Sequence, residues 1–351
     1  MAEHPYRALD ATHFWSRSVA PIAFHEMDPM VTAPFSVSAT DRVATIGSCF
    51  AQHLSRFLVR SGLHYFVTEE GASDLSSEER ERRNYGTFSA RFGNGYTVRQ
   101  ARQLFERAYG QWDASVEEIW SREGVLVDAL RPMVEPGGFP DEEALLLDRE
   151  HHLGAVRRLF EESDVLVFTL GLTEGWRNRE SGLVLPVVPG ASGGDFSHER
   201  YEFVNFRVHE VIEDLIAFIE LVRSVNPDLR FILTVSPVPL IATYSDEHVL
   251  SATTYSKSVL RVAASEAVAH LPMVAYLPSY ELITNAATAG RYYADDLRSV
   301  TDEGVAHAMR VFAQHFLEGV ADVSVAEFSE GVRREIAHVA AIICDEEVLE
   351  S

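Results

Sequence analysis

The chain has 351 residues, of which 46% are hydrophobic, and a net charge of −23 because 53 Asp and Glu oppose 30 Lys and Arg. This hydrophobic content supports a folded core, and the negative charge repels phosphate backbones and anionic lipid surfaces. Nucleic acid is therefore excluded as a partner. The longest apolar runs are too short to span a bilayer, so we expect no membrane insertion. The oligomeric state is left open.

Cysteine content and the start of the chain bear on the compartment. Cys49 and Cys344 are the only cysteines and lie far apart, which provides no disulfide framework. The first residues lack the basic and then apolar stretches of a secretory leader. The sequence therefore predicts a cytoplasmic protein.

The first half of the chain begins with an irregular segment and continues with a strand, a turn and a helix. Residues 1–40 combine prolines and aromatics without a sustained period, which predicts an ordered N-terminal arm. The apolar residues 43–46 predict a short buried strand that ends at Gly47, and apolar residues follow at helical spacing over 50–58. A second apolar stretch, 63–67, has the character of a strand.

A long insertion and then a regular alternation follow. Residues from about 70 to 160 do not alternate like a simple βαβ unit, and we interpret them as a largely helical insertion. The continuous apolar run 164–171 ends in glycine and predicts a central parallel strand covered on both faces. The later predicted elements are helix 208–222, strand 231–235, helix 255–267, strand 273–277, helix 302–316 and a tail, 322–351, with a helix over 325–343.

These elements predict an α/β fold. Five strands alternate with helices, which indicates a three-layer α/β/α sandwich around a doubly wound, mostly parallel, five-stranded sheet of the flavodoxin-like kind. We assign residues 1–321, with the arm and the insertion, to a single domain and 322–351 to a helical tail. Ligands of such sheets bind beyond the carboxyl ends of the strands, so functional residues are expected there.

The turn after the first strand carries two nucleophilic side chains, Ser48 and Cys49. It lies at a helix N-terminus, where unpaired N–H groups and the helix dipole favour negative charge. A thiol in such a position has a lowered pKa, whereas a serine needs a general base, which favours Cys49 as the nucleophile. The alternative is structural: Ser48 caps the helix and Cys49 is a small buried hydrophobic residue.

The segment Thr-Ile-Gly-Ser-Cys-Phe-Ala at 45–51 is similar to the signature for which the GSCFA family is named. The resemblance extends from about residue 44 to about residue 310. Several further segments occur in the order of that family, which makes the resemblance specific. They are 84–90, 169–174, 234–240, 256–261 and 278–282.

The GSCFA family resembles the SGNH (GDSL-type) hydrolases and acyltransferases, and this resemblance implies roles for individual residues. It places the nucleophile at Cys49, in a register that starts from the glycine of the turn. It implies oxyanion donors at the backbone N–H of Gly86 and the hydroxyl of Thr173, and the alternative for Gly86 is a glycine that only forms a turn. Of the Asp and His pair of those hydrolases, Asp296 is present, but Ser299 occupies the histidine position. A standard serine, histidine and aspartate mechanism therefore lacks its base.

Three answers to the missing histidine remain open. His53 lies one helical turn after Cys49 and could reach its sulfur. His307 lies one turn into the helix 302–316 and could point back toward the gap at Ser299. The third answer is that no base is needed, or that none exists because the chain binds rather than catalyses.

Substrate contacts are expected from residues that follow strand ends or lie in the family segments. Lys257 could contact an anionic group such as a coenzyme A phosphate, and the alternative is a solvated charge on the face of its helix. We expect no tightly bound cofactor, although an acyl donor such as acetyl-CoA suits the implied chemistry. No cluster of His, Cys and Asp has metal-ligand spacing, so no metal site is predicted. The substrate-binding candidates are Asn84, Glu174, Trp176, Arg177, Ser236, Lys257, Arg298 and Ser299.

The leading functional hypothesis is an acyl-transfer enzyme, an acyltransferase or esterase that uses Cys49 or Ser48. A carbohydrate or polysaccharide precursor as its substrate rests on the family resemblance alone. The second hypothesis is a non-catalytic binding or scaffold protein that kept the fold and lost the histidine. The third is an enzyme that uses Glu174 or Asp296 as an acid or base without a covalent intermediate.

Overall fold

The structure, a computed structural model, describes residues 4–112, 118–318 and 345–349. The helix predicted over 325–343 and the second cysteine, Cys344, lie outside these residues. The chain divides into two units, one formed by Met1–Ser38 and Leu277–Ala340 and the other by Ala39–Tyr276 and Ala341–Ser351.

The second unit contains a parallel sheet, as the sequence predicts. The strands are β1 (Val43–Gly47), β2 (Ile119–Arg122), β3 (Val125–Asp128), β4 (Val165–Leu170), β5 (Glu174–Asn178), β6 (Val184–Leu185), β7 (Tyr201–Asn205), β8 (Arg230–Val235) and β9 (Val274–Tyr276). The parallel sheet has the order β1-β4-β8-β9. Every residue of β1 and β4 is buried, so both faces of the sheet are covered. The α/β fold class is confirmed.

Helices follow the strands in the predicted alternation. They are α1 (Trp15–Ser18), α2 (Ala51–Arg60), α3 (Ser77–Arg82), α4 (Val98–Ala108), α5 (Glu142–Glu162), α6 (Val208–Val225), α7 (Val249–His270), α8 (Ser279–Thr284) and α9 (Asp302–Phe316). Helix α2 packs on β1 and β4, α7 packs on β8 and β9, and α6 packs between α4 and α7. The apolar stripes of these helices therefore supply the layers that bury the sheet.

The predicted fifth strand, 63–67, is reduced to a single bridge between Val43 and Tyr65. The N–H of Val43 donates to the carbonyl of His64, and the N–H of Phe66 donates to the carbonyl of Val43. Two residues later the N–H of Thr68 donates to the carbonyl of Ser89 instead. The segment stops pairing with β1 because its backbone turns toward the insertion, so the described sheet has four strands.

Two further sheets were not anticipated from the sequence. Strands β2 and β3 pair as an antiparallel hairpin inside the insertion. Strands β6, β5 and β7 form an antiparallel sheet in that order. Because β5 begins only four residues after β4 ends, the chain passes from the parallel sheet into this second sheet at the carboxyl end of its central strand.

A buried ionic cluster holds the insertion. The guanidinium of Arg91 is fully buried and donates to Glu135 at 2.9 Å and to Asp148 at 3.0 Å. Arg131 bridges Asp128, at 3.0 Å, and Asp148, at 2.8 Å. Burial opposes the ionised form of Asp128, but the neighbouring arginines hold its pKa well below the usual range. Each buried charge is therefore paired, as burial of charges requires.

The first unit is built around α9. Thr301 caps this helix, because its hydroxyl accepts a hydrogen bond from the N–H of Gly304. The arm forms a parallel bridge at its Val37 with Leu317, just after α9 ends. The N-terminal arm is thus tied to the C-terminal part of the chain within this unit.

Candidate active site

The turn after β1 is shaped by Gly47. Its φ of +127° is unfavourable for residues with a side chain, and a Cβ there would lie 2.1 Å from the carbonyl oxygen of Thr169. The next residue, Ser48, donates its N–H to that same oxygen at 3.1 Å. Glycine therefore lets the ends of β1 and β4 approach closely and brings Ser48 and Cys49 to the carboxyl edge of the sheet.

Helix α2 starts directly from this turn. The N–H groups of Ala51, Gln52 and His53 donate to the carbonyls of the residues three positions before them, at 2.8 to 3.1 Å. The N-terminal end of a helix favours negative charge, because the helix dipole is positive there. Cys49 lies at this end of α2.

Ser48 and Cys49 line a small cleft. Both are buried, at 3% and 4% exposure, and the hydroxyl of Ser48 has no hydrogen-bond partner among the described residues. The free space is about 10 Å³, room for about one water molecule. The other lining residues are Tyr96, Gly171, Leu172, Ser236, Val238, Pro239, Leu240 and Lys257.

A segment that the sequence did not point to covers the turn from the side of the insertion. The N–H of Gly95 donates to the carbonyl of Gly47 at 2.9 Å. The carbonyl of Tyr96 accepts from the N–H groups of Gly171 and Leu172, at 3.2 and 3.0 Å. The one local signal was the turn-forming Gly-Asn-Gly at 93–95. Its position beside β1 depends on the tertiary fold, which the local sequence does not reveal.

The structure places the two residues of the second family segment in other surroundings. Gly86 is a turn glycine with φ of +79°, and a Cβ there would meet no atom within 4 Å. The side-chain amide of Asn84 donates to the carbonyl of Met133 at 3.0 Å, inside the insertion. Neither residue lines the cleft.

Thr173 does not direct its hydroxyl to an oxyanion site. It is fully buried, and the hydroxyl donates to the side-chain oxygen of Asn205 at 2.7 Å. Its N–H donates to the hydroxyl of Ser256 at 3.0 Å. Thr173 therefore joins β5, β7 and α7, and the implied oxyanion role is not supported by its contacts. Ser236 does line the cleft, where its hydroxyl accepts from the N–H of Val238 at 3.3 Å.

Lys257 lies in the cleft rather than on the surface. Its side chain is buried, at 2% exposure, and its ammonium group donates to the carbonyl of Gly171 at 2.6 Å. The residue sits on the face of α7 that packs against the sheet. Lys257 is therefore not a solvated charge on the face of the helix, which was the alternative considered from the sequence.

The two histidines that could replace the missing base are both poor proton acceptors. Burial and then the charge of Arg56 lower the pKa of His53 to about 3. Burial and then the charge of Arg310 lower the pKa of His307 to about 4. The ring of His307 also has both nitrogens in hydrogen bonds of 2.7 Å, to the hydroxyl of Tyr292 and to the carbonyl of Met27. His307 is thus a structural residue of the first unit.

Asp296 and Ser299 bind each other. The carboxylate of Asp296 accepts from the N–H groups of Arg298 and Ser299 at 2.9 Å and from the hydroxyl of Ser299 at 2.5 Å. The Ser299 hydroxyl and these N–H groups lower the pKa of Asp296. Asp296 and Ser299 are exposed, so the serine in the histidine position closes a surface turn around the aspartate.

A larger aromatic pocket adjoins the cleft. It encloses about 510 Å³ and shares Tyr96, Leu172 and Leu240 with the cleft. The ring of Trp176 meets those of Tyr244 and Phe196 edge to face, with centroids 4.9 and 5.0 Å apart. This size and apolar lining are typical of small-molecule sites. Other lining residues are Gln100, Phe203, Thr243 and, from the C-terminal segment, Leu349.

Glu174 supplies the acidic group of this aromatic pocket. Its carboxylate accepts a hydrogen bond from the hydroxyl of Thr243 at 2.7 Å. Burial raises the pKa of Glu174, and the hydrogen bond from Thr243 opposes that rise. Arg177, in contrast, is ion-paired with Glu202 across β5 and β7 and does not line the pocket.

Neither a metal-ligand cluster nor a membrane-spanning helix is found among the residues that the structure describes. These residues contain no group of three or more His, Cys, Asp or Glu that could hold a metal ion. They also contain no helix with the length and apolar character needed to cross a bilayer.

Comparisons with known proteins identify the family and a similar structure. The model of the GSCFA family matches residues 42–312, which include the turn, the cleft and most of α9. No curated protein matches the chain. The chain is similar to the solved structure of the Clostridium thermocellum family 3 carbohydrate esterase, with 11% identity and a TM-score of 0.35, over 79% of this chain and 94% of that one.

Proposed function

Because the chain belongs to the GSCFA family, and Ser48 and Cys49 of its signature line a cleft, we propose that it transfers or hydrolyses acyl groups through Cys49. The observation that carries the proposal is the position of the thiol. Cys49 lines a cleft at the carboxyl end of a parallel sheet and directly precedes a helix N-terminus. Such a position suits a nucleophile and the oxyanion that it generates.

The proposed reaction has two halves. The sulfur of Cys49 attacks the carbonyl carbon of an ester or thioester, and the oxyanion forms at the N-terminal end of α2, where the helix dipole favours negative charge. The leaving group departs with a proton, which yields a thioester on Cys49. Water or an acceptor hydroxyl then attacks this thioester and releases the thiol, which gives hydrolysis or transfer, respectively.

The aromatic pocket suits the rest of the substrate. The cleft has room for little more than the reacting atoms, whereas the neighbouring space of about 510 Å³ can hold a sugar ring. Faces of Trp176 and Tyr244 can pack on the C–H face of such a ring, and Glu174 can accept from its hydroxyls. We therefore propose a carbohydrate or polysaccharide precursor as the acyl donor or acceptor.

A second candidate function is ligand binding without turnover. The observation that favours it is the loss of histidine as a base: Ser299 holds Asp296, and both ring nitrogens of His307 are occupied. The aromatic pocket would then be the binding site, and Cys49 would be a small buried residue of the turn.

Alkylation of the thiol tests the proposal. Turnover of vinyl acetate and acetyl-CoA is measured before and after iodoacetamide treatment, in a Cys344→Ser background in which Cys49 is the one remaining cysteine. We expect turnover to fall in proportion to the alkylated fraction. Full turnover after complete alkylation would contradict the proposal. Binding of an acetylated disaccharide with no turnover of any ester would favour the second candidate.

Replacing Trp176 with alanine tests the aromatic pocket. We expect KM for an acetylated disaccharide to rise about tenfold, because the ring that packs on the sugar is lost. Turnover of vinyl acetate, which lacks a ring, should stay unchanged. Trp15→Ala is the matched control, because that tryptophan is 69% exposed in the arm. Equal losses with both esters would show that the pocket does not bind the sugar.

A further inference from the structure

A buried amine lines the same cleft as the proposed nucleophile. Lysine is rarely buried unless its charge is paired or its amine has a chemical role. Lys257 is buried at 2% exposure, and it lines the same cleft as Ser48 and Cys49. The amine and the thiol therefore belong to the lining of one cleft.

Gly171 connects the amine to the turn. Its carbonyl accepts the hydrogen bond from Lys257 at 2.6 Å. A Cβ on Gly171 would lie 3.1 Å from the Cβ of Ser48, so the backbone of Gly171 packs directly against the turn. The amine of Lys257 is therefore held beside the backbone that Ser48 contacts. A buried lysine can serve as a general base, because burial readily shifts its pKa.

Other titratable groups around the cleft are less suited to accept a proton. The wall of the cleft contains three of them, Cys49, Tyr96 and Lys257. From α2, the ionisable side chains that follow the turn are His53, Arg56 and Arg60. Burial lowers the pKa of His53 to about 3, so its imidazole is a weak base. An arginine does not give up its proton in proteins.

This inference rests on the proposed acyl chemistry. We propose that Lys257 is the catalytic base, the group that takes the proton of the Cys49 thiol in place of the missing histidine. Lysine serves as the base for a nucleophile in other hydrolases, as in serine and lysine dyads.

Each proton released in either half of the reaction has an acceptor. The neutral amine accepts the thiol proton while the sulfur–carbon bond forms. The resulting ammonium returns that proton to the leaving oxygen or sulfur as its bond to the acyl carbon breaks. In the second half the amine takes a proton from water or from the acceptor hydroxyl, whose oxygen attacks the thioester. The ammonium then gives this proton to the departing thiolate.

A purely structural role for Lys257 predicts different results. In that case the side chain only ties α7 to the end of β4 through the carbonyl of Gly171. Lys257→Ala would then lower stability, and an amine added from solution would not restore the reaction. A base, in contrast, can be replaced by a small amine that fills the space of the missing side chain.

The experiment compares Lys257→Ala and Lys257→Arg in the Cys344→Ser background, with vinyl acetate turnover and iodoacetamide alkylation of Cys49 as separate readouts. We expect kcat to fall by about 10²- to 10⁴-fold with little change in KM. Added propylamine should restore part of the activity of Lys257→Ala in proportion to its concentration. Lys257→Arg keeps a cation but should remain impaired, because guanidinium is not a base near neutral pH.

Arg261→Ala is the matched control on the same helix. Its guanidinium stacks on the ring of Tyr276 at 4.2 Å and is not part of the cleft wall. We expect this variant to keep the turnover and the alkylation rate of the chain without the substitution. It separates general damage to α7 from loss of the amine.

The two proposals fail in different ways. If the unsubstituted chain turns over no ester or thioester, the acyl chemistry is wrong, and alkylation still tests the proton transfer. Slower alkylation of Cys49 in Lys257→Ala, with recovery in propylamine, would support the amine as the base. Unchanged alkylation in Lys257→Ala, or full activity of Lys257→Arg, would overturn it. If Lys257→Ala fails to fold, the turnover and the alkylation rate of Lys257→Arg decide whether the amine is the base.

Discussion

Cys49→Ala is expected to lower kcat/KM for acyl esters by about 10⁴-fold, because removing a nucleophile eliminates the covalent pathway. The fold should be retained. The side chain is small and buried, and alanine leaves the backbone of the turn and the start of α2 in place. Initial rates with vinyl acetate measure the loss of kcat/KM. The urea concentration at the midpoint of unfolding measures whether the fold is retained.

Ser48→Ala is the matched control for this prediction. Its hydroxyl is buried without a hydrogen-bond partner among the described residues, so its removal breaks no hydrogen bond that the structure shows. We expect kcat/KM to change by about threefold at most, with stability equal or slightly higher, since an unsatisfied buried hydroxyl is unfavourable. The reverse result, with Ser48→Ala inactive and Cys49→Ala active, would move the nucleophile to Ser48.

Gly47→Ala is expected to lower the free energy of unfolding by about 3 to 5 kcal/mol, because backbone strain and a steric clash act together. The φ of +127° disfavours any side chain, and the new Cβ would lie 2.1 Å from the carbonyl oxygen of Thr169. Relief of the clash requires β1 to move away from β4, and their pairing extends to this residue. Urea unfolding of both proteins measures the difference.

Gly62→Ala provides the comparison. This glycine also has a positive φ, of +70°, but a Cβ there would meet no atom within 4 Å. Strain alone should cost about 1 to 2 kcal/mol. If the two variants lose the same stability, close approach of β1 and β4 is not what requires glycine at position 47.

The parallel sheet was predictable because its strands are buried on both faces. In a chain of alternating strands and helices, continuous apolar runs such as 43–46 and 164–171 are typical of strands that helices cover on both sides. The amphipathic helix 208–222 was equally clear, since its apolar spacing and the Asn-Pro after it define both face and end. These signals are local, so no knowledge of the tertiary structure was needed.

The second sheet was not predictable from local pattern. The sequence Glu-Gly-Trp-Arg-Asn of β5 lacks the alternation and the branched residues of a typical strand. It forms a strand because β7 pairs with it along its full length, and that partner lies more than twenty residues away. The segment 63–67, in contrast, was predicted as a strand and forms only a single bridge. Its backbone leaves β1, and the N–H of Thr68 donates to the carbonyl of Ser89 instead.

The candidate site was predictable at its turn and not at its walls. The nucleophile positions follow from a strand, a glycine and a helix in succession. The burial of Lys257 could not be read from the sequence, because a lysine on a long helix is normally solvated. Tyr96 reaches the cleft through backbone contacts with Gly171 and Leu172, which only the folded chain reveals.

The most direct test of the acyl-transfer proposal is the mass of the trapped enzyme. The Cys344→Ser chain is mixed with acetyl-CoA or vinyl acetate, quenched in acid within the first turnover and digested for mass spectrometry. We predict one acetyl group on the peptide that contains Cys49, and its loss on treatment with hydroxylamine, which cleaves thioesters. Steady turnover with no acetyl group on Cys49, or with the acetyl group on Ser48, would contradict the role assigned to this thiol.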